Sequence, residues 1–151
     1  MQIETKYAGT VEVKEEQILT FENGLPAFED EKEYVLLPFK EGTPLFTLQS
    51  VHTPGLAFVL VNPFEFFSDY QVEIPEATLE TLAIEKEEDV AIFTIMTVEE
   101  PFTDSTVNLQ GPVIINLEAR LGKQIALNDN RYGRKHTIFA TSEARQPGQG
   151  G

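Results

Sequence analysis

"DVAIFTIMTV", residues 89–98, is the longest stretch of this chain that reads as one strand. It is rich in β-branched and aromatic residues. Val90, Ile92, Met96 and Val98 recur at the two-residue period of a strand with one buried face. "LAFVLV" (56–61) is apolar at every position, so both of its faces are expected to be covered, at the centre of the fold. In "GTVEVKE" (9–15), Val11 and Val13 share one face while Thr10, Glu12 and Lys14 take the other. "QILTF" (17–21), "YVLLPF" (34–39), "LFTLQS" (45–50), "STVNL" (105–109), "PVIINL" (112–117), "KQIAL" (123–127) and "HTIFAT" (136–141) bring the total to about ten predicted strands.

The gaps between strands carry turn chemistry. "GLP" (24–26), "TPG" (53–55), "NP" (62–63), "GP" (111–112) and "NDN" (128–130) combine fixed or permissive φ with Asx-type side chains. Strands that recur about every ten residues predict an all-β, mostly antiparallel, barrel-like single domain. One segment breaks the period. In "IPEATLETLAI" (74–84), Pro75 suits a helix start, Glu76 suits the dipole, and Leu79, Leu82 and Ala83 form a narrow apolar stripe. This predicts one short helix near 76–84. Residues 1–145 read as the domain, and "QPGQGG" (146–151), with nothing apolar to bury, reads as a disordered tail.

Composition excludes several classes. A chain of 151 residues with 41% hydrophobic content is large enough for a real core, and without cysteine it has neither disulfides nor thiolate metal sites. No apolar run approaches a membrane span, and "MQIETK" (1–6) lacks the basic start of a secretory signal, so a cytoplasmic location is expected. The charge is lopsided: residues 1–100 carry a net −16 and residues 101–151 a net +2, giving −14 in all. Such a field repels phosphate backbones, so direct nucleic-acid binding is not expected, and it attracts basic partners. Excess acid also serves plain solubility.

Catalytic patterns are missing. His52 and His136 are far apart and in no metal-ligand spacing, and hydrogen-bonded structural roles are expected for both. No nucleophile elbow or phosphate-cradling glycine motif occurs. Residues 128–133 fail as a calcium loop because the twelfth position would be Phe139, so a tight turn is expected there. The clusters Glu29-Asp30-Glu31 and Glu87-Glu88-Asp89 flank turns and read as solvated charge. Neither a metal nor a cofactor is expected.

"NPFEFFSDYQVEIP" (62–75) is the stretch that points to function. Four aromatics lie among Glu65, Asp69 and Glu73, a mixture too polar for a buried strand and too aromatic for an ordinary loop. Large apolar anchors with a polar rim are the composition of a protein-interaction hot spot. Glu65, Asp69, Tyr70 and Glu73 are expected on a partner surface, supported underneath by Phe64 and Phe67. Asn108 and Asn116 are expected to tie down turns by side-chain-to-backbone bonds.

The wording of the chain is specific. "FENGLPAFEDEKEYVLL" (21–37), "LFTLQSVHTPGLAFVLVNPFEFFSDYQVEIP" (45–75), "VNLQGPVIINLEARLGKQIAL" (107–127) and "KHTIF" (135–139), in this order, resemble the flagellar assembly factor FliW family. The departures are Ala27 where the family usually has glycine, His52 where it has aspartate, and Gly111 where it has alanine. The resemblance implies a small, acidic, cytoplasmic, non-catalytic, barrel-like protein, expected as a monomer. It also implies two partners. One is newly made flagellin; the other is CsrA, the RNA-binding dimer that represses flagellin translation, which such a protein antagonises. Two rival classes stay open from the residues alone: a barrel that binds a carbohydrate or other small ligand, and an acidic mimic of nucleic acid.

Overall fold

The computed structural model describes residues 1–39 and 42–138. In chain order the strands are β1 (Gln2–Glu4), β2 (Thr10–Glu12), β3 (Leu19–Thr20), β4 (Glu33–Pro38), β5 (Leu45–Ser50) and β6 (Ala57–Val61). A single α-helix, α1 (Glu76–Thr81), then precedes β7 (Val90–Thr97), β8 (Thr106–Val107), β9 (Val113–Asn116), β10 (Leu121–Gln124) and β11 (His136–Thr137). The tail 146–151 and the end of the last expected strand, 139–141, lie outside the described residues.

Seven strands close into a barrel. The order β3–β4–β5–β6–β7–β9–β10 is antiparallel throughout, and a parallel contact between Leu121 and Thr20 returns β10 to β3. The fold is therefore all-β with one short helix, as the strand spacing predicts. Closure removes the exposed edges that an open sheet would present. β7 is long enough to pair twice on one side, with β9 through Val90–Phe93 and with β8 through Met96 and Thr97. β11 pairs with β8 in turn. β1 and β2 form a separate hairpin; β1 has no counterpart among the predicted strands, because three residues with one buried member give too short a period to read.

Alternation along the strands sorts the side chains into three cores. Leu19, Phe21, Leu25, Tyr34, Leu48, Leu60, Phe93, Val113 and Ile115 come from six of the seven barrel strands and the loop after β3, and they fill the interior. Val59, Val61, Met96 and Ile114 are their neighbours of opposite parity, on the outer face of β6, β7 and β9. This face is covered by Tyr70, Leu82, Val107, Leu109, Leu127 and Ile138. A third, smaller cluster lies under the β1–β2 hairpin, where Ile3 and Val13 meet Val35. β6 is thus covered on both faces, as its unbroken apolar sequence requires. Val98, expected on the same face as Val90, Ile92 and Met96, lies beyond the end of β7 and is exposed.

The helix has one and a half turns. Leu82 and Thr78 are buried, but Ala83, expected in the apolar stripe, is exposed at φ +56°. The reason is a C-terminal cap: Ile84 N–H donates to Leu79 O (2.9 Å) and Ala83 N–H to Glu80 O (3.1 Å). Asn116 completes the cap, its Nδ2 donating to Leu82 O (2.8 Å) and Ala83 O (3.1 Å), while its Oδ1 accepts from Glu118 and Ala119 N–H. One side chain therefore fixes both the helix end and the β9–β10 turn.

Two backbone positions carry measurable consequences. A Cβ at Gly122 would stand 2.3 Å from Cζ of the fully buried Phe21 ring, so the barrel closes only because β10 has no side chain there. Gly122→Ala is expected to destabilise by about 1–3 kcal/mol or more through overpacking, read as a lowered midpoint in urea. Ala27 is the third residue of the turn Leu25–Phe28, which is closed by Phe28 N–H to Leu25 O (2.7 Å), and its φ is +73°. Proline second and positive φ third is the type II pattern, in which glycine is the favoured third residue. Ala27→Gly is expected to stabilise by about 0.5–1 kcal/mol, the left-handed penalty relieved less the added unfolded-state entropy. A higher urea midpoint with an unchanged slope is the signature.

Candidate functional site

Residues 62–75 cross the outer face of the barrel, and their backbone explains their composition. Asn62 Oδ1 accepts the Phe64 N–H (3.0 Å) and starts a short 3-10 turn at Pro63–Glu65. Phe66 and Phe67 N–H both return to Pro63 O (3.1 and 2.8 Å), and Tyr70 N–H returns to Phe67 O (3.0 Å). The chain therefore repeats about every three residues, as in 3-10 geometry. Pro63, Phe66, Phe67 and Tyr70 turn inward, while Phe64, Glu65, Ser68 and Asp69 turn out. After Tyr70 the period becomes two: Val72 and Ile74 pack on the outer core, and Gln71 and Glu73 are exposed.

Two expected positions change places. Tyr70, expected on the surface, is 4% exposed, whereas Phe64, expected beneath it, is 41% exposed. Alternation of inward and outward residues governs strands; the turn period governs here. Phe67 is half-buried, with the edge of its ring on His136. Glu65, Asp69 and Glu73 are all exposed, and none forms an ion pair among the described residues. The segment thus brings the three acids to its outward side.

Tyr70 is the anchor. Its hydroxyl donates to Leu109 O at 2.6 Å, and its ring meets the Tyr132 ring edge to face at 4.8 Å. Burial pushes its phenol well above the ordinary range, with the neighbouring Tyr132 adding to the effect, so it stays a neutral donor. Asn108 presents the acceptor: its Oδ1 takes the Gln110 and Gly111 N–H groups (3.0 Å each) and shapes the turn that carries Leu109. Asn108 thus holds the turn whose Leu109 carbonyl receives the Tyr70 hydroxyl.

Sequence reading places Tyr132 and Arg131 only in a turn, yet both belong to this site. Tyr132 Oη accepts the Gln71 N–H (3.0 Å) and lies against Asp69 O (3.4 Å), which stitches residues 69–71 to the 128–133 turn. Arg131 lies over the Tyr132 ring at 5.1 Å and donates to both carboxylate oxygens of Asp129. The hydrogen bonds from Arg131, side chain first and amide second, hold the Asp129 carboxyl down to about 2. His136 Nε2 accepts the Gly133 N–H (2.7 Å). An aromatic residue inside a polar turn was the available signal, but nothing local says where such a ring would pack.

Phe66, Phe67, Asp69, Tyr132 and His136 border an open groove of about 470 Å³. Its walls are aromatic and its outer margin is acidic. Among the described residues no group of three or more His, Asp or Glu is placed to hold a metal ion, and no helix is long and apolar enough to cross a membrane. Before β4, Glu31 is only partly the solvated charge expected, being half-buried and hydrogen-bonded. Ser50 and Thr53 hydroxyls donate to it (2.6 and 2.8 Å) and hold its carboxyl below the usual range, tying the 22–31 loop to the β5–β6 turn. His52 Nε2 pairs with Glu33 at 2.6 Å nearby.

The profile of the family described as "FliW protein" matches residues 2–138. The flagellar assembly factor FliW of Geobacillus sp. (strain WCH70) is 49% identical over 145 residues, covering 96% of this chain and all of the relative. That of Bacillus subtilis (strain 168) is 46% identical over 142 residues, covering 94% and 99%. A solved structure, "Crystal structure of the flagellar assembly factor FliW", superimposes with a TM-score of 0.86 at 47% identity, over 92% of this chain and 97% of that one.

The Tyr70 anchor makes a direct prediction. Tyr70→Phe keeps the ring but leaves Leu109 O without its donor in a buried setting, so it is expected to cost about 1–3 kcal/mol. Chemical denaturation checks the loss. A change under about 0.5 kcal/mol, the range of ordinary surface substitutions, contradicts an anchoring role.

Proposed function

The chain belongs to the flagellar assembly factor FliW family, and from that premise we propose that it acts as a partner switch between flagellin and CsrA. On this reading the free protein, a cytoplasmic monomer without catalytic activity or cofactor, draws CsrA off flagellin messenger RNA and so permits flagellin synthesis. Unexported flagellin then occupies the protein, and CsrA represses again. The messenger itself is never touched.

The observation that carries this reading is the outward side of residues 62–75, where Glu65, Asp69 and Glu73 are exposed and unpaired beside an aromatic-walled groove. An RNA-binding partner must be basic to grip phosphates, so an acidic patch within residues 1–100, which carry a net −16, speeds encounter with it. Flagellin exposes amphipathic terminal helices before export, and an apolar groove with a polar rim suits such helices. Tyr70 contributes from below, by fixing the segment, and Phe64 offers an exposed ring on the same side. A carbohydrate-binding barrel finds no support, because the barrel interior is filled by Phe21, Tyr34, Leu48, Leu60 and Phe93.

The test separates surface from scaffold. The double charge reversal Asp69→Lys with Glu73→Lys is expected to weaken binding to CsrA or to flagellin by more than about 1 kcal/mol, the mark of a significant interface residue. The melting temperature should stay nearly unchanged, since both side chains are exposed. Calorimetric titrations with both partners that match the unaltered protein contradict the assignment of this surface.

A further inference from the structure

Beyond the barrel, β10 does not stop where its neighbour β3 leaves it. Its ladder with β9, which ends at Gln124 opposite Val113, continues through Ile125 N–H to Pro112 O (3.0 Å) and Leu127 N–H to Gln110 O (2.8 Å). Successive N–H groups of an extended chain point to opposite sides, so those of Ala126 and Asn128 face the other way. β3 touches this edge only at Leu121. Among the described residues the Ala126 and Asn128 N–H groups have no hydrogen-bond partner.

Across from this edge runs a second one. Residues 71–76 form the opposite wall of an open groove of about 870 Å³ whose near wall is residues 126–129. The N–H groups of Val72, Glu73 and Ile74 are likewise without partners among the described residues. Val72, Ile74 and Leu127 make the groove apolar at its base, and exposed Glu73 and Glu76 make its rim acidic. Arg131, the cation of the groove, is already neutralised by Asp129. Unpaired main-chain groups along an extended edge are a template for one more strand.

We propose that the Ala126–Asn128 edge takes up an extended, basic segment of a partner protein as an added strand, its cations directed to Glu73 and Glu76. From the function reading above it takes only the premise that the partner is a protein. The main-chain bonds would give affinity without sequence preference, and the acidic rim would select for lysine or arginine at alternate positions. A strand seated here would lie beside the aromatic groove, with Arg131 lining both.

The experiment uses the full chain and a capped heptapeptide, KVKVKVK, followed by amide chemical shifts. Saturable shifts centred on Ala126 and Asn128 are expected. Two control peptides should bind about tenfold more weakly or worse, the equivalent of about 1.4 kcal/mol. One carries N-methyl groups on alternate amides; the other is EVEVEVE. The variant Ala126→Pro, which removes a donor the fold does not use, should lose the peptide to a similar degree. The absence of saturable shifts at these amides at millimolar peptide overturns the proposal, as does equal affinity for the N-methylated peptide. Should Ala126→Pro fail to fold, the N-methyl comparison alone decides. A variant that folds and binds KVKVKVK unchanged removes the groove but leaves the flagellin and CsrA titrations as the separate test of the partner switch.

Discussion

Strands β6, β7 and β9 are apolar on both faces, and a closed barrel can bury only one of them. Phe93, Leu60, Val113 and Ile115 go to the interior, which leaves Val59, Val61, Met96 and Ile114 facing outward. At about 1.5–3 kcal/mol for each such side chain returned to water, that outer face has to be roofed. Most of the chain outside the barrel does this work. Residues 62–75, α1, β8 and β11 all lie over it, and the hydrogen bonds of Tyr70 and Asn116 fasten the cover to the turns around β9. The aromatic content of "NPFEFFSDYQVEIP" follows from that duty, and its acids follow from the cover having an outer side.

This division explains which features were legible in the sequence. Most strand positions and the helix start were, because apolar runs such as residues 56–61 and 89–98 are set off by local turn signals regardless of what lies beyond them, while β1 was too short to read. Which strands close the barrel was not, since the parallel contact of Leu121 with Thr20 joins residues a hundred positions apart and leaves no local period. Phe64 and Tyr70 lie opposite to expectation because the backbone of their segment is likewise not set by a local sequence period. Composition alone does not say which aromatic faces in; the backbone here turns about every three residues, as the Pro63 carbonyl accepting from both Phe66 and Phe67 shows, and that turn puts Tyr70 inside and Phe64 outside. The three acids were placed correctly on the exposed side because desolvating a carboxylate is costly under any backbone period.

Glycine and its stand-ins mark where backbone geometry overrides side-chain preference. Gly122 is required by the ring of Phe21 on the inner face, while Ala27 and Ala83 occupy left-handed positions where glycine would be relaxed. Ala27 is one of the departures from the FliW pattern, and its φ of +73° shows that the turn keeps the glycine geometry even with a methyl group in place. Such strain is tolerable because neighbouring bonds hold the turn: Phe28 N–H to Leu25 O for Ala27, and the Asn116 amide for Ala83. Local conformation here is set by closure and capping, and residue preference yields.

The roof also has the right mechanics for recognition. It is built from turns and from extended backbone that spends few of its own main-chain groups, so acids and free N–H groups coexist on one side of it. The barrel beneath is closed and tightly filled, which gives that surface a rigid floor. A partner that engages Glu65, Asp69 or Glu73 meets a segment already ordered by Asn62, Tyr70 and Tyr132, so little ordering entropy is left to lose on binding. Charge supplies the other half. Because Arg131, which reaches Gln71 of the segment, is consumed by Asp129, it does not cancel the field of the acids where that field is presented. Pre-ordered backbone and unneutralised charge thus meet on the same few residues.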